Sequence, residues 1–534
     1  MEWTLAEYGC LAYGLVTAPL FDSLGYEACA QLIEFCGIEV VVCDGDDHVD
    51  ALLGHGQLPK TLRTIITVDQ LPVERVIDLD NHGVKFFTMD DVEKLGRSNP
   101  VPVCPSEPDQ LATLLFTSGT TGMAKAVMIT HRQFVLFLKS MTQSMLPAKM
   151  TPEDSTLGFL PLAHIAERFI EKLIHVHGGK VGYISGDIRN PKVLYADAKE
   201  VQPTYFFFVP RIMTRIHNEI QADLNRNIFK RIAAALGILC KTVEMQWGIF
   251  RNDSFWDRWL FHKYQAMLGG KVRISQTGSA PTDGKVLNFM RAAFGCYVAE
   301  NYGQTESCGP FTGTVYGDLA ADQVGIPFPD TEIKLVDVPK MGYRAADGKG
   351  ELCARADFLM KGYFKMEDKT AKTIDQDGWL HTGDIGMWLP DGNLRIFDRK
   401  KHVFKLSQGE YLAPERLEGA FSRSDLISNI FIDGDSKYPY CVALIYPKYD
   451  AMKAGKIKSE NKQATEAVKK QLIDELTRIG HDRHMKSYEI PKKIHILDEG
   501  FSMENGCLTP SNKTKREHIR TKFKKEIAQL YAGD

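Results

Sequence analysis

Thr117-Ser-Gly-Thr-Thr-Gly-Met-Ala-Lys125 concentrates hydroxyls, two glycines and a lysine in nine consecutive residues. It follows the apolar run Leu111–Phe116, which reads as a buried strand, and precedes a helix-like segment from about His131. On that reading it is a strand-to-helix loop. Glycines let backbone N–H groups approach a ligand closely. Hydroxyls add donors and Lys125 adds a point charge, a combination suited to a polyphosphate. The spacing G-x-x-G-x-x-K, with hydroxyls in front, is not that of a Walker A loop.

The rest of the chain supports a large α/β protein. Short β-rich runs alternate with longer helical patterns: Val40–Cys43, Leu111–Phe116, Ser155–Leu160, Lys180–Ile184, Thr204–Val209, Val272–Thr277 and Tyr297–Asn301. Such alternation predicts parallel α/β units, with ligands beyond the carboxyl ends of the strands. The loops Thr117–Lys125, Pro161–His164, Gly278–Pro281 and Tyr302–Glu306 fall at such ends. From Val324 to about Arg395 the texture changes to strand-like pieces separated by Gly, Asp and Pro turns, which predicts a β-rich subdomain. The charge cluster Asp398-Arg-Lys-Lys-His402 reads as a linker. The organisation expected is a large domain over 1–398 and a small α+β domain over 399–534, the latter with a charged segment, Lys456–Lys470, near a helix.

Bulk properties narrow the class. A chain of 534 residues is too long for one core. A net charge of −3 gives no reason to expect nucleic acid as a partner. Eleven cysteines without a C-x-x-C pair argue against zinc and a disulfide framework and favour a reducing compartment. No apolar run reaches 18 residues, so no transmembrane helix is expected; Ile228–Cys240 is too short and carries Lys230 and Arg231. The chain opens directly into apolar, helix-like sequence, which suggests upstream sequence is missing.

Other segments carry chemistry. Tyr302-Gly-Gln-Thr-Glu306 sets an aromatic, a glycine, a hydroxyl and a carboxylate together, able to stack a base, approach a phosphate and hold Mg²⁺. Asp384, in His381-Thr-Gly-Asp384, could bind ribose hydroxyls together with Arg399. Lys513 stands in Thr509-Pro-Ser-Asn-Lys513. Along Arg516–Tyr531, Ile519, Phe523 and Ile527 recur at helical spacing among Lys and Arg; this predicts a helix packing on the small domain, or weak attachment to an anionic membrane.

These motifs, with Gly378–Asp384 and Asp398–Lys405, stand in the order found in adenylate-forming enzymes, which the chain resembles along essentially its whole length. Ala18–Gly25, Pro203–Arg211, Leu268–Arg273 with Gly278–Pro281, Gln408–Glu415 and Phe501–Gly506 are similar to the eukaryotic long-chain acyl-CoA synthetases. Ala124 and Ala126 stand where that family usually has Pro and Gly, and Asn512 where Gly is common. Members normally carry roughly a hundred more N-terminal residues, often with a membrane anchor.

The resemblance implies a fatty acid activated by ATP to an acyl-adenylate, then transferred to coenzyme A. Alternatives are another carboxylic acid, or an inactive paralogue acting as a binding module. It further implies that Thr117, Ser118, Gly119, Thr120, Thr121, Gly122 and Lys125 cradle phosphates, with Thr117 and Glu306 on Mg²⁺. Tyr302, Gly303 and Gln304 would face the nucleotide with Gly278, Ser279 and Ala280 along the adenine, and Thr305 would touch the α-phosphate. Asp384 and Arg399 would anchor ribose. Lys513 would be the adenylation lysine, His164 would line the acyl site, Lys401 would be the hinge, Lys405 would contact AMP, and Gly409 would face the pantetheine channel. The expected location is cytoplasmic, or peripheral on the cytosolic face of membranes.

Overall fold

A computed structural model describes residues 1–21, 24–53, 58–117, 124–145, 147–188, 190–400, 402–449, 462–509 and 513–532. Parallel sheets dominate its first half. Tyr205–Phe208, Ile274–Thr277 and Tyr297–Gln304 run parallel side by side, and Gly309–Gly313 and Ile326–Pro327 extend that sheet antiparallel. All four residues of Tyr205-Phe-Phe-Phe208 are buried, as a strand covered on both faces requires. Phe206 stacks on Phe159 with ring centroids 5.3 Å apart. Two smaller parallel sheets pair Ser155–Gly158 with Lys180–Tyr183, and Val40–Cys43 with Thr64–Thr67 and Lys85–Thr88. The last two strands of that second sheet are not evident from sequence; Thr64-Ile-Ile-Thr67 and Lys85-Phe-Phe-Thr88 each carry only two apolar residues between polar ones.

The nine-residue loop is set differently from the expectation. Leu111–Thr117 and Lys125–Thr130 are antiparallel partners, with Thr117 opposite Lys125. The loop therefore closes a hairpin, and the helix His131–Ser144 starts only after the second strand, capped by Thr130 and Gln133. Lys125-Ala-Val-Met-Ile-Thr130 is a short apolar run next to a helix, and by sequence alone the two read as one signal. Gly362–Tyr363 pairs with the second hairpin strand.

Glu332–Val336, Lys349–Arg355, Leu380–Trp388 and Leu394–Arg399 form an antiparallel sheet, the β-rich stretch expected from Val324 onward. Its last strand runs into the charge cluster, so Asp398 and Arg399 are strand residues rather than linker. Lys401 lies outside the described residues. One core joins this sheet to the hairpin and to the helices His131–Ser144 and Ile165–Val176. A second core lies between the five-stranded sheet and the helices around it.

Beyond Leu406 the cores are separate. Ile427–Gly434, Cys441–Pro447 and Lys493–Ile496 form a three-stranded sheet with the helix Lys462–Asp482 among its neighbours. Lys456–Asn461 lies outside the described residues. Arg516–Lys522 and Lys524–Tyr531 are helices, and Ile519, Ile527 and Tyr531 are buried in the core of this sheet. Burying each isoleucine is worth about 1.5–3 kcal/mol, so Ile519 and Ile527 pack on the small sheet, as the first of the two readings expects. No helix among the described residues is long and apolar enough to cross a membrane.

Candidate active site

The hairpin brings Lys125 into a relay. Lys125 Nζ donates to Tyr363 Oη at 3.3 Å and lies 4.4 Å from the centre of that ring. Tyr363 Oη donates to Glu306 Oε1 at 2.8 Å. Burial and the Glu306 carboxylate push the tyrosine hydroxyl far above its ordinary pKa, so it serves as a fixed donor. Sequence patterning does not single out Tyr363. A Gly-Tyr dipeptide has no spacing signature; its place follows from two-residue pairing with the hairpin. Thr117 stands at the hairpin's mouth, while Ser118, Gly119, Thr120, Thr121 and Gly122 lie outside the described residues.

A second cluster centres on Asp384, which is 2% exposed. Asp384 and Arg399 are direct cross-strand partners, with Arg399 Nε 3.1 Å from Asp384 Oδ1. Oδ2 accepts from Tyr302 Oη at 2.6 Å and from Gln304 Nε2 at 2.9 Å. Gln304 Nε2 also donates to Thr382 O at 2.9 Å. Burial would lower the Arg399 pKa, but Asp384, with Glu415, Tyr302 and Glu306, raises it. Burial first, and Asp384 next, lift the Tyr302 hydroxyl well above its usual value. Tyr302 is thereby fixed edge-on to Phe311, with ring centroids 5.2 Å apart.

Tyr302, Gly303 and Gln304 belong to the strand Tyr297–Gln304 rather than to a loop after it, and Thr305–Ser307 is a 3₁₀ turn. The register slips between Tyr302 and Gly303. A Cβ on Gly303 would lie 2.0 Å from Gly309 O, so only glycine fits. One strand away, Gly278, Ser279 and Ala280 follow Ile274–Thr277. A Cβ on Gly278 would meet Asn301 O at 2.8 Å, and Ser279 adopts φ +69°. These glycines hold the ends of two adjacent strands close together.

Lys513 and His164 arrive from opposite ends of the chain. Lys513 sits in a loop closed by the Leu508–Thr514 bridge, with its amide on Thr509 Oγ1 at 2.9 Å. Its side chain is exposed at its surface yet surrounded by much protein. Crowding first, and the Arg399 guanidinium next, lower its pKa; Asp384, Glu415 and Glu306 pull it back. His164 caps the helix Ile165–Val176, its Nδ1 accepting from Ala166 N at 3.1 Å. Burial, then the Lys513 ammonium, push the imidazole down to about 4, so it is neutral at physiological pH with its proton on Nε2.

Lys513, His164, Asp384, Arg399 and Glu306 therefore act electrostatically on one another. Glu415, the last residue of the Gln408–Glu415 stretch, joins them and accepts from His402 Nδ1 at 2.6 Å. Lys405 and Gly409 have local surroundings: both are exposed, Lys405 Nζ lies 5.5 Å from the Tyr411 ring centre, and Gly409 turns at φ +94°. Among the described residues no cluster of three His, Cys, Asp or Glu side chains could by itself hold a metal ion.

The family model of the AMP-binding enzymes matches residues 1–364. Long-chain-fatty-acid–CoA ligase 1 of Homo sapiens is 41% identical over 99% of this chain and 77% of that protein. Long-chain-fatty-acid–CoA ligase 5 of Rattus norvegicus is 39% identical over 99% of this chain and 78% of that protein. Among solved structures, the adenylation domain of a carboxylic acid reductase from Segniliparus rugosus, in complex with AMP and a co-purified carboxylic acid, superposes with a TM-score of 0.79 at 26% identity, covering 99% of this chain and 81% of that one. An adenylation domain from Mycobacterium chelonae superposes with a TM-score of 0.81 at 24% identity, over 99% of this chain and 79% of that one, a likeness of fold. The chain belongs to the AMP-binding, adenylate-forming enzyme family. Within that family its full-length similarity is to long-chain-fatty-acid–CoA ligases.

Proposed function

We propose that this chain is an acid–thiol ligase that activates a long-chain fatty acid with ATP and passes the acyl group to coenzyme A, releasing AMP and pyrophosphate. The observation that carries the reading is the meeting of Lys513 with the Asp384–Arg399 pair and Glu306. A carboxylate is a poor electrophile, and its anion is repelled by a polyphosphate. Fixed cations at the point of attack offset that repulsion, and this is where preorganised charge lowers a barrier most.

In this reading Lys513 lies between the substrate carboxylate and the α-phosphate, with Thr305 beside it. Lys125 and the hairpin loop hold the β- and γ-phosphates. Tyr302 presents its ring to adenine, with Gly303 and Gln304 in the same strand and Gly278, Ser279 and Ala280 along the base edge. Asp384 and Arg399 take the ribose. Neutral His164 lines the acyl entrance without adding charge. Thr117 and Glu306 supply hard oxygen donors, few in number, which suits Mg²⁺ because that ion keeps waters and takes substrate phosphate oxygens. Such an ion would neutralise phosphate charge. The small domain, 399–534, would turn about Lys401 between the half-reactions and bring Lys405 and Gly409 to the AMP and pantetheine sides.

The test is pyrophosphate release with palmitate, ATP and Mg²⁺, followed by thioester formation on adding coenzyme A, repeated across a series of acyl chain lengths. The expected result is turnover that peaks among long chains. Turnover confined to aryl or short acids would replace the substrate assignment. No turnover with any acid would leave a nucleotide-binding module.

A further inference from the structure

The turn that delivers His164 is tied from inside the helix that follows it. His164 accepts the Ala166 amide, and its own N–H closes a turn onto Pro161 O at 2.8 Å. Glu167 stands at the third position of the helix Ile165–Val176. A glutamate there ordinarily reaches back to the N–H of the capping residue. Here that N–H is already used, and Glu167 reaches further. Its Oε2 accepts from Leu160 N at 3.1 Å. The segment from Leu160 to His164 is therefore fixed at its start by Glu167 and at its end by the helix.

The other oxygen of Glu167 has a different setting. Glu167 Oε1 and Glu171 Oε1 are both buried without a hydrogen-bond partner among the described residues. They converge on Gly158, where an added Cβ would lie 2.9 Å from the first and 3.5 Å from the second. Glu171 Oε2 accepts from Thr4 Oγ1 at 3.1 Å, and Tyr183 Oη donates to the same threonine at 2.9 Å. Two carboxylates so placed repel when both are charged and bond when one carries a proton. A charge count gives the same answer. Glu7, Glu167, Arg168, Glu171 and Lys172 are all buried, and both cations are bonded to Glu7. Two cations balance two carboxylates; the third carboxyl has to be neutral, because an uncompensated charge is costly in the interior. Tyr205 and Tyr183 from neighbouring strands, Glu7 and Tyr8 from the first helix, and the N-terminal amine also face the pair. They add no balancing cation among the described residues, since the amine is exposed and lies 3.2 Å from Glu2. Burial, then the Glu171 carboxylate, lifts the Glu167 carboxyl well above its usual range, and burial raises Glu171 as well.

We propose that Glu167 and Glu171 hold a single proton between them, and that Glu167, seated in this way, is the positioning residue for His164 through the Leu160 amide. Only the naming of His164 as an acyl-site residue rests on the ligase reading. The two carboxyls titrate as a unit. Removing either one leaves two cations against two carboxylates, so the proton is no longer needed.

The experiment has two spectroscopic arms on the full chain, neither of which needs turnover. Infrared difference spectra at neutral pH compare wild type with Glu167→Gln and with Glu171→Gln. The C=O band of a protonated carboxyl is expected to vanish in each single variant. Its survival in either one, in folded protein, overturns the shared proton, because a Glu167 made neutral by burial alone would keep its band in Glu171→Gln. In the second arm, isotope-labelled histidines report the His164 titration by NMR. Burial holds that imidazole at about 4, against an ordinary 6.5. Glu167→Gln keeps an acceptor for the Leu160 N–H and should leave the titration in place. Glu167→Met has similar bulk without the acceptor and should let it rise toward the ordinary value. An unmoved titration in Glu167→Met removes Glu167 as the positioning residue. With palmitate as substrate, Glu167→Met should raise the fatty-acid KM roughly tenfold, the scale of one lost buried contact, while the KM for ATP holds; Glu167→Gln should bring it back. Equal rises in both KM values would mark a merely structural role. Wild type without turnover would count against the ligase reading, and the two spectroscopic arms would still decide this one.

Discussion

Lys513 is the group whose loss should separate the two halves of the reaction. It meets Arg399 and Asp384 from the far end of the chain, where negative charge would gather during attack on the α-phosphate. Lys513→Ala should slow acyl-adenylate formation by about two to four decades, the scale of losing one preorganised charge. Conversion of preformed acyl-adenylate to thioester should persist. Single-turnover measurement of each step decides, and equal loss in both removes Lys513 from the first.

Glu300, one strand residue before Asn301, gives a prediction about pH. Burial, opposed by the Thr282 amide and Arg291, lifts its carboxyl from 4.5 to about 7. A raised carboxyl pKa means that the folded protein holds the proton more tightly than the unfolded chain does. The cost of burying the charge is therefore absent below pH 4.5 and complete above about 7. Glu300→Gln keeps an acceptor for the Thr282 amide, which now donates to Glu300 Oε1 at 3.1 Å. Its stability relative to wild type should be near zero at pH 4.5 and rise to about 2–3 kcal/mol at pH 8. Urea midpoints at both pH values measure this, and a difference independent of pH contradicts the assignment.

At the scale of elements, the first helix, Glu2–Ala12, is tied to Ile165–Val176 by buried charge. Burial would raise the Glu7 carboxyl, but Arg168 and Lys172 overcome that and hold it below the usual range. Lys172 Nζ stands 2.6 Å from Glu7 Oε2, and Arg168 Nη1 donates to Thr113 Oγ1 at 2.8 Å. Glu7→Ala would leave two buried cations facing one another, at a cost of about 3–5 kcal/mol. The same helix begins at His164, so adenylation should weaken along with thermal stability. Full activity in a destabilised variant would show that the first helix is only a cover.

The elements also show what sequence can and cannot reveal. Val40–Cys43 and Tyr205–Phe208 stand out because a short apolar run between polar turns is rarely anything but a strand. The second strand of the hairpin does not, because Lys125–Thr130 and the helix that follows blur into one apolar stretch when pairing is unknown. Motif order brings Asp384 and Arg399 to notice, but only the register of two antiparallel strands puts them side by side. Tyr363 acts through neighbours distant in sequence and no local pattern announces it, whereas Glu415 closes the stretch Gln408–Glu415, whose resemblance carries no role for it. The apolar stretch within Ile228–Gln246 is legible in sequence, where its length and charges exclude a membrane span. Which of its faces turns inward is not, because that depends on Gly237 and the Lys241–Asp257 pair.

For the molecule as a whole, the two half-reactions place different demands on one acyl carbonyl: a cation during adenylation, then a path for a thiol. In the proposed reading Lys513 serves the first step and Lys405 and Gly409 the second, so a turn of the small domain about Lys401 would exchange them. Lys401→Pro fixes φ near −65° and removes an N–H. Acyl-adenylate formation should remain substantial while thioester formation falls by about an order of magnitude or more. Equal effects on both steps in folded protein would dismiss the turn.

The meeting of Lys513 with Arg399 has a calorimetric consequence. Each guanidinium or ammonium discourages protonation of its neighbour, and the lysine gives way because its pKa is the lower. A polyanion set between them reverses the balance, so nucleotide capture draws a proton from the buffer toward Lys513. Heats of ATP binding measured toward pH 9 in buffers of different ionisation enthalpy should then differ, and the difference should vanish in Lys513→Ala. On the proposed reading, ATP affinity should then weaken as the solution turns alkaline, and not do so in Lys513→Ala.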